Sequence, residues 1–348
     1  MIRRAAGLAL LAASAGCAPA DEADAPPPPP RPDGESYLVV DADAGPDGEA
    51  DLGGAVFLWN RTDGSLAPFA ADPRFVDPQR ALVLEDGDVL LLDLAAETPD
   101  GAGALFRIDG TTREVGAPIG FVGFDRPVGL TRGPGETVYV TDRSALPHGE
   151  SRGAVFRVDL PTGEVVGAWR DHRFRAPSVL LARADGTLLL LDADARTGNG
   201  ADEGVLFTID PETGQVAEHA RLVGAVSPLG LLEEPDGGLL VFDANADPRG
   251  VGGPLGAVFR VDRDGATSLV VSDHPFRDPV RGCLGEDGTV LLVDANADPA
   301  GRGPDRAGRG QNLTGGGAIL ALDRATGATR VALAPPEFVN PVDLVRWR

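Results

Sequence analysis

Short apolar runs closed by an aspartate recur along the chain: Val39-Val40-Asp41, Leu91-Leu92-Asp93, Val140-Thr141-Asp142, Leu190-Leu191-Asp192, Val241-Phe242-Asp243 and Leu292-Val293-Asp294. Successive aspartates stand 49 to 52 residues apart. Each run is followed by a glycine and a second apolar stretch, Gly54 to Phe57, Gly103 to Phe106, Gly153 to Phe156, Gly204 to Phe207, Gly256 to Phe259 and Gly317 to Leu320. A third landmark is an aromatic shortly before a proline, at Phe75/Pro78, Phe124/Pro127, Phe174/Pro177, Phe276/Pro279 and Phe338/Pro341, reduced to Ala225/Pro228 in one copy. Two-residue turn signals such as Asp185-Gly186 and Thr213-Gly214 separate the stretches, so each of six repeats reads as four short strands.

Runs such as Leu188 to Leu191 and Val290 to Val293 are apolar at every position rather than at alternate ones. That pattern belongs to strands covered on both faces. Four-stranded sheets packed face to face around an axis provide such cover, which predicts an all-β fold: a six-bladed β-propeller with four-stranded blades. If a blade begins at its proline, the chain enters at a second strand near Tyr37. It leaves on an unpaired first strand, Asn340 to Val345, so the C-terminal strand is expected to complete the first blade.

The Pro-x-x-Leu, Asp-Gly, run-Asp and Phe-Arg-Val-Asp pattern over residues 36–348 resembles the NHL-repeat propellers and the wider gluconolactonase and lyase superfamily, in architecture. Such folds carry lactonases, lyases and pure interaction modules alike, so the resemblance implies a fold and leaves activity open. A gluconolactonase-type site would imply Asp, Asn or Glu at the start of first strands. The residues directly after the prolines here are Gln79, Val128, Ser178, Leu229, Val280 and Val342, which carry no metal triad.

Composition narrows the chemistry. No lysine occurs and all 31 basic residues are arginine, which excludes Schiff-base chemistry. A formal net charge of -22 disfavours nucleic acid as a partner. Arg3-Arg4, the apolar stretch Gly7 to Ala15 and Ser14-Ala15-Gly16-Cys17 resemble a bacterial lipoprotein signal. This predicts residues 1–17 as a signal peptide with lipidation of Cys17, residues 18–34 with Pro26 to Pro30 as a disordered Pro-rich tether, and residues 35–348 as the propeller. Ser14 stands where a lipobox has leucine, so plain secretion is the alternative; both readings export the protein, to the periplasm or the cell exterior. Membrane attachment is expected by the lipid anchor only, a monomer is expected because a closed propeller has no free edge, and Cys283 is expected to be an inert core thiol.

Four sets of candidate residues follow. Loops after the Asp-terminated runs place oxygen ligands at alternate positions, as Ca²⁺ requires: Asp41, Asp43 and Asp47; Asp243, Asn245 and Asp247; Asp294, Asn296 and Asp298. Asp and Asn at strand ends also bond their own backbone, which needs no metal. The mouth of the channel is expected to be ringed by Asp77, Arg80, Arg126, Asp278, Arg281, Asn340 and Asp343, a mixed-charge site for a small ligand or a protein. His172 and His274, each beside an aspartate, are the candidates for acid–base catalysis. The sixth repeat carries an insertion with Arg302, Arg306 and Arg309, a candidate lid or contact arm. The reading is therefore an extracytoplasmic binding module for a ligand, cation or protein, with a metal-assisted hydrolase or lyase at the channel mouth as the alternative.

Overall fold

A computed structural model describes residues 34–45, 53–98, 101–120, 124–145, 153–196, 202–248, 256–272, 276–297 and 317–347. The predicted signal and most of the tether, Cys17 among them, lie outside the described residues, as do Asp47, Asp298, His274 and the insertion bearing Arg302 to Arg309.

The described residues form six four-stranded antiparallel sheets and no helix. The first sheet holds β1 (Ser36–Asp41), β2 (Ala55–Asn60) and β3 (Leu66–Ala71). Blade two is β4 (Pro78–Val83), β5 (Val89–Thr98), β6 (Gly101–Ile108) and β7 (Ile119–Gly120). Blade three is β8 (Pro127–Arg132), β9 (Thr137–Asp142), β10 (Ala154–Asp159) and β11 (Val165–Trp169). Blade four is β12 (Pro177–Ala182), β13 (Leu188–Arg196), β14 (Asp202–Ile209) and β15 (Val216–Arg221). Blade five is β16 (Pro228–Glu233), β17 (Leu239–Asp243), β18 (Ala257–Val261) and β19 (Thr267–Ser272). Blade six is β20 (Pro279–Leu284), β21 (Val290–Asp294), β22 (Ala318–Leu322) and β23 (Thr329–Leu333). The last strand, β24 (Pro341–Trp347), pairs antiparallel with β1, Val40 opposite Asp343 and Ser36 opposite Trp347, and so completes blade one as the sequence predicts. The proline-led strands β4, β8, β12, β16, β20 and β24 each pack on the next and close a ring around the axis.

The runs are apolar throughout because alternate residues serve different interfaces. Leu188 and Leu190 enter the core between blades three and four, whereas Leu189 and Leu191 enter the one between blades four and five. Tyr37 and Val39 face blade six while Leu38 and Val40 face blade two. Six such cores, one per pair of neighbouring blades, hold the ring. The glycine and proline landmarks are one contact: a Cβ on Gly54 would lie 2.0 Å from the Pro78 ring of the next blade, and one on Gly153 would lie 2.1 Å from Pro177. The loop phenylalanines cap the same junctions, Phe75 on Phe106 at 5.1 Å and Phe174 on Phe207 at 5.4 Å between ring centres.

Candidate functional site

Each run ends in a fully buried aspartate, and the structure gives all six one task. Asp93 accepts the backbone N–H of Val76 (2.8 Å) and of Asp77 (3.1 Å), the two residues before Pro78, and those of Ala95 and Ala96 in its own loop. Asp142, Asp192, Asp243 and Asp294 repeat the pattern on the pre-proline residues of their own blades. Asp41 does so across the chain closure, on Val339 and Asn340 at 2.9 Å each. Backbone donors give these carboxylates partners without a metal, yet burial outweighs them and pushes Asp41, Asp142, Asp192, Asp243 and Asp294 above the usual carboxylate range. Asp41, Asp243 and Asp294, expected as Ca²⁺ ligands, thus serve as latches that fix the loops at the channel mouth. Of the remaining described candidates Asn245 is exposed, and Asp43, Asp247 and Asn296 are half-buried. Among the described residues no three His, Cys, Asp or Glu side chains converge to hold a metal ion.

The latches position the pre-proline side chains. In three consecutive blades these form carboxylate–amide pairs: Asn296 Nδ2 donates to Asp278 at 2.9 Å in blade six, Asn340 Nδ2 to Asp43 at 2.9 Å in blade one, and Gln79 Nε2 to Asp77 in blade two. Burial pushes the Asp278 carboxyl up to about 6, against the opposing hydrogen bond from Asn296. Asp77 is also pushed up, first by burial and then by the nearby Asp93 and Asp43, with Arg126 acting in the other direction. Asp43 of blade one and Arg126 of blade three therefore each lie within electrostatic reach of Asp77.

Arg80, Arg281 and Asp343 do not stand on the rim as expected; they are buried in the innermost strands of the same three blades. The carboxylate of Asp343 accepts the backbone N–H of Ala81 at 2.9 Å, and Arg281 Nε lies 3.8 Å from its other oxygen. Arg80 reaches back to the carbonyl oxygens of Gln79 and Val342. The equivalent positions of blades three to five hold Gly129, Val179 and Gly230, and their pre-proline positions hold Arg126, Ala176 and Ser227. At these two positions charge is thus concentrated in blades six, one and two, with Arg126 of blade three the exception.

His172 is remote from this chemistry, 77% exposed and beside Asp171 at 3.2 Å, whose other partner is Arg173. Cys283 is partly buried on the strand that carries Arg281, and burial pushes its thiol far above the usual range, with Asp343 and Glu35 adding to the rise. Sequence reasoning missed Glu234, a buried carboxylate held by Arg260 and by Arg324 at 2.8 Å. It lines a groove of about 770 Å³ between blades five and six on the face of the Asp-Gly turns. Nothing in its local sequence distinguishes it from half-buried Glu233 beside it, because its partners come from β18 and from the turn after β22.

The arrangement is that of a six-bladed propeller with a one-sided polar site where the central channel opens. Similar solved structures include the nidogen/laminin complex (14% identity, 90% of this chain and 98% of that one, TM-score 0.63). The periplasmic gluconolactonase of Pseudomonas aeruginosa (17%, 90% and 99%, 0.56) and a putative 6-phosphogluconolactonase of Bacteroides fragilis (16%, 90% and 98%, 0.54) are also similar. At these identities the likeness is one of fold, shared by a binding module and by lactonase-type propellers. No protein-family model and no curated protein sequence matches the chain.

Proposed function

We propose that the protein is a binding module that takes a small ligand at the mouth of its central channel, against blades six, one and two. The observation that carries this reading is the asymmetry of the pre-proline positions: Asp278, Asn340 and Asp77 in three neighbouring blades each join a carboxylate–amide hydrogen bond, with Asn296, Asp43 and Gln79, whereas the same position of the other three blades holds Arg126, Ala176 and Ser227. A fold held by six equivalent inter-blade cores has no structural need for that imbalance. Carboxylates with amide oxygens beside them suit a ligand that presents positive charge or hydrogen-bond donors. Calcium, a hard cation that takes oxygen ligands, is the simplest probe of this half. Metal-stripped protein titrated with Ca²⁺, with Mg²⁺ as control, is expected to show a saturable rise in thermal midpoint that Asp77→Asn/Asp278→Asn abolishes. A rise that persists in that variant would move the cation away from the mouth.

The reading places the module outside the cytoplasm, on the strength of Arg3-Arg4, the following apolar stretch and Cys17. A lipid on Cys17 would attach the protein to a membrane by that anchor alone. The hydrolase or lyase alternative gains no support from His172, which is exposed and far from the paired carboxylates in sequence and in partners.

A further inference from the structure

The two most buried arginines among the described residues share one anion. Arg80 and Arg281 retain 8% and 9% of their surface, and β24, which carries Asp343, lies between their strands. Asp343 spends one oxygen on the Ala81 N–H. Its other oxygen is 3.8 Å from Arg281 Nε, beyond hydrogen-bond distance. The Nε–H of Arg80 and that of Arg281 are both buried without a hydrogen-bond partner, and so is that of Arg143, at the top of β9 in blade three.

A guanidinium does not give up its proton in a protein, so charge balance here has to come from a counter-ion. The charges that act on Arg80 are two cations, Arg281 and Arg143, against the single carboxylate of Asp343. A buried charge without compensation is costly, and planar guanidiniums with free N–H groups are the donor set that oxyanions match. The acidic composition makes the location more informative, since a chain of net charge -22 keeps two buried arginines with one carboxylate between them in its innermost strands.

We propose that the channel holds a small oxyanion, a carboxylate or a phosphate, between the guanidiniums of Arg80 and Arg281 beside Asp343. The site lies in the same channel as the proposed ligand mouth and deepens that reading, because a ligand spanning both would carry an anionic group inward and a donor or cationic group outward. It has its own residues, so the two stand or fall separately.

The test titrates the whole protein with sodium phosphate and, separately, sodium acetate, following the thermal midpoint at ionic strength held constant with sodium chloride. At least one titrant is expected to raise the midpoint saturably. Arg80→Met and Arg281→Met, which replace a buried charge by an apolar chain of similar length, are expected to fold and to weaken that titrant roughly tenfold or more. Asp343→Asn removes the competing carboxylate and is expected to tighten it. Phosphate acting alone assigns a phosphoryl group, acetate alone a carboxylate, and both together the shared oxyanion chemistry. The proposal is overturned if neither titrant acts, if chloride substituted for either gives the same response, or if the response survives in both arginine variants. Loss of the anion response in Arg80→Met with the calcium response intact would support the floor site independently. Loss of the calcium response alone in Asp77→Asn/Asp278→Asn, with phosphate or acetate still acting, would confine that defect to the mouth.

Discussion

At the scale of single residues the aspartate that closes each run is the most informative position. The sequence marks it six times but does not name its partners, which are backbone N–H groups 16 and 17 residues upstream in five copies and those of Val339 and Asn340 for Asp41, invisible to side-chain pattern. That is why an oxygen-rich Ca²⁺ loop and a latch look alike in sequence. Removing the acceptor strands several buried donors, so Asp93→Ala is expected to lower unfolding free energy by about 3 kcal/mol, measured by urea denaturation. Two carboxyls also tie stability to pH. Asp278 and Asp294 are pushed up to about 6 and about 7, chiefly by burial, with Asp278 adding to the rise at Asp294. A raised carboxyl favours the folded state while protonated: its contribution is full below the unfolded value near 4 and is lost as pH climbs through 6 to 7. Asp278→Asn is neutral throughout, so the fall in stability between pH 5 and pH 8 is expected to shrink by roughly 1–3 kcal/mol. An unchanged fall would mean that Asp278 is already ionised in the folded protein at pH 5.

At the scale of elements, the strands were legible because burial on two faces writes an unbroken apolar run, and their phase told how the ring closes. The closure is mechanical as well as topological: β24 pairs with β1, Asp41 latches Val339 and Asn340, and buried Trp347 packs edge-on against Phe69 at 5.1 Å. Truncating that ring should loosen the junction of first and last strands. Trp347→Ala is expected to cost about 3–5 kcal/mol, with hydrogen exchange rising first in β1 and β24. The equivalence of glycine and proline landmarks was not legible, because Gly54 and Pro78 meet only when two blades stack. Cys283 follows from its strand: with the thiol pushed far up by burial, it is expected to resist a thiol reagent at pH 8 until the protein unfolds.

For the whole molecule, the six-fold repeat hides a polarity with no such symmetry. The residues of the site could be read from the sequence as flanking the prolines, but their depth could not. Arg80, Arg281 and Asp343 look like rim residues until the innermost strands close around them. Their gathering into blades six, one and two emerges once β24 is placed between β20 and β4. Outside the propeller, the N-terminal sequence makes a separate claim: Cys17→Ser is expected to move the protein from the membrane fraction to the soluble fraction on cell fractionation.

The central claim, a ligand site on one half of the channel mouth, is tested most directly by a thermal-shift panel of calcium, diamines, amino acids and neutral sugars. The proteins compared are wild type, Asp77→Asn/Asp278→Asn and, as a control on the far half of the ring, Ser227→Ala. At least one compound is expected to give a saturable shift of several degrees in wild type and Ser227→Ala that the double variant loses. A panel without any saturable shift, or a shift that the double variant keeps, would contradict it.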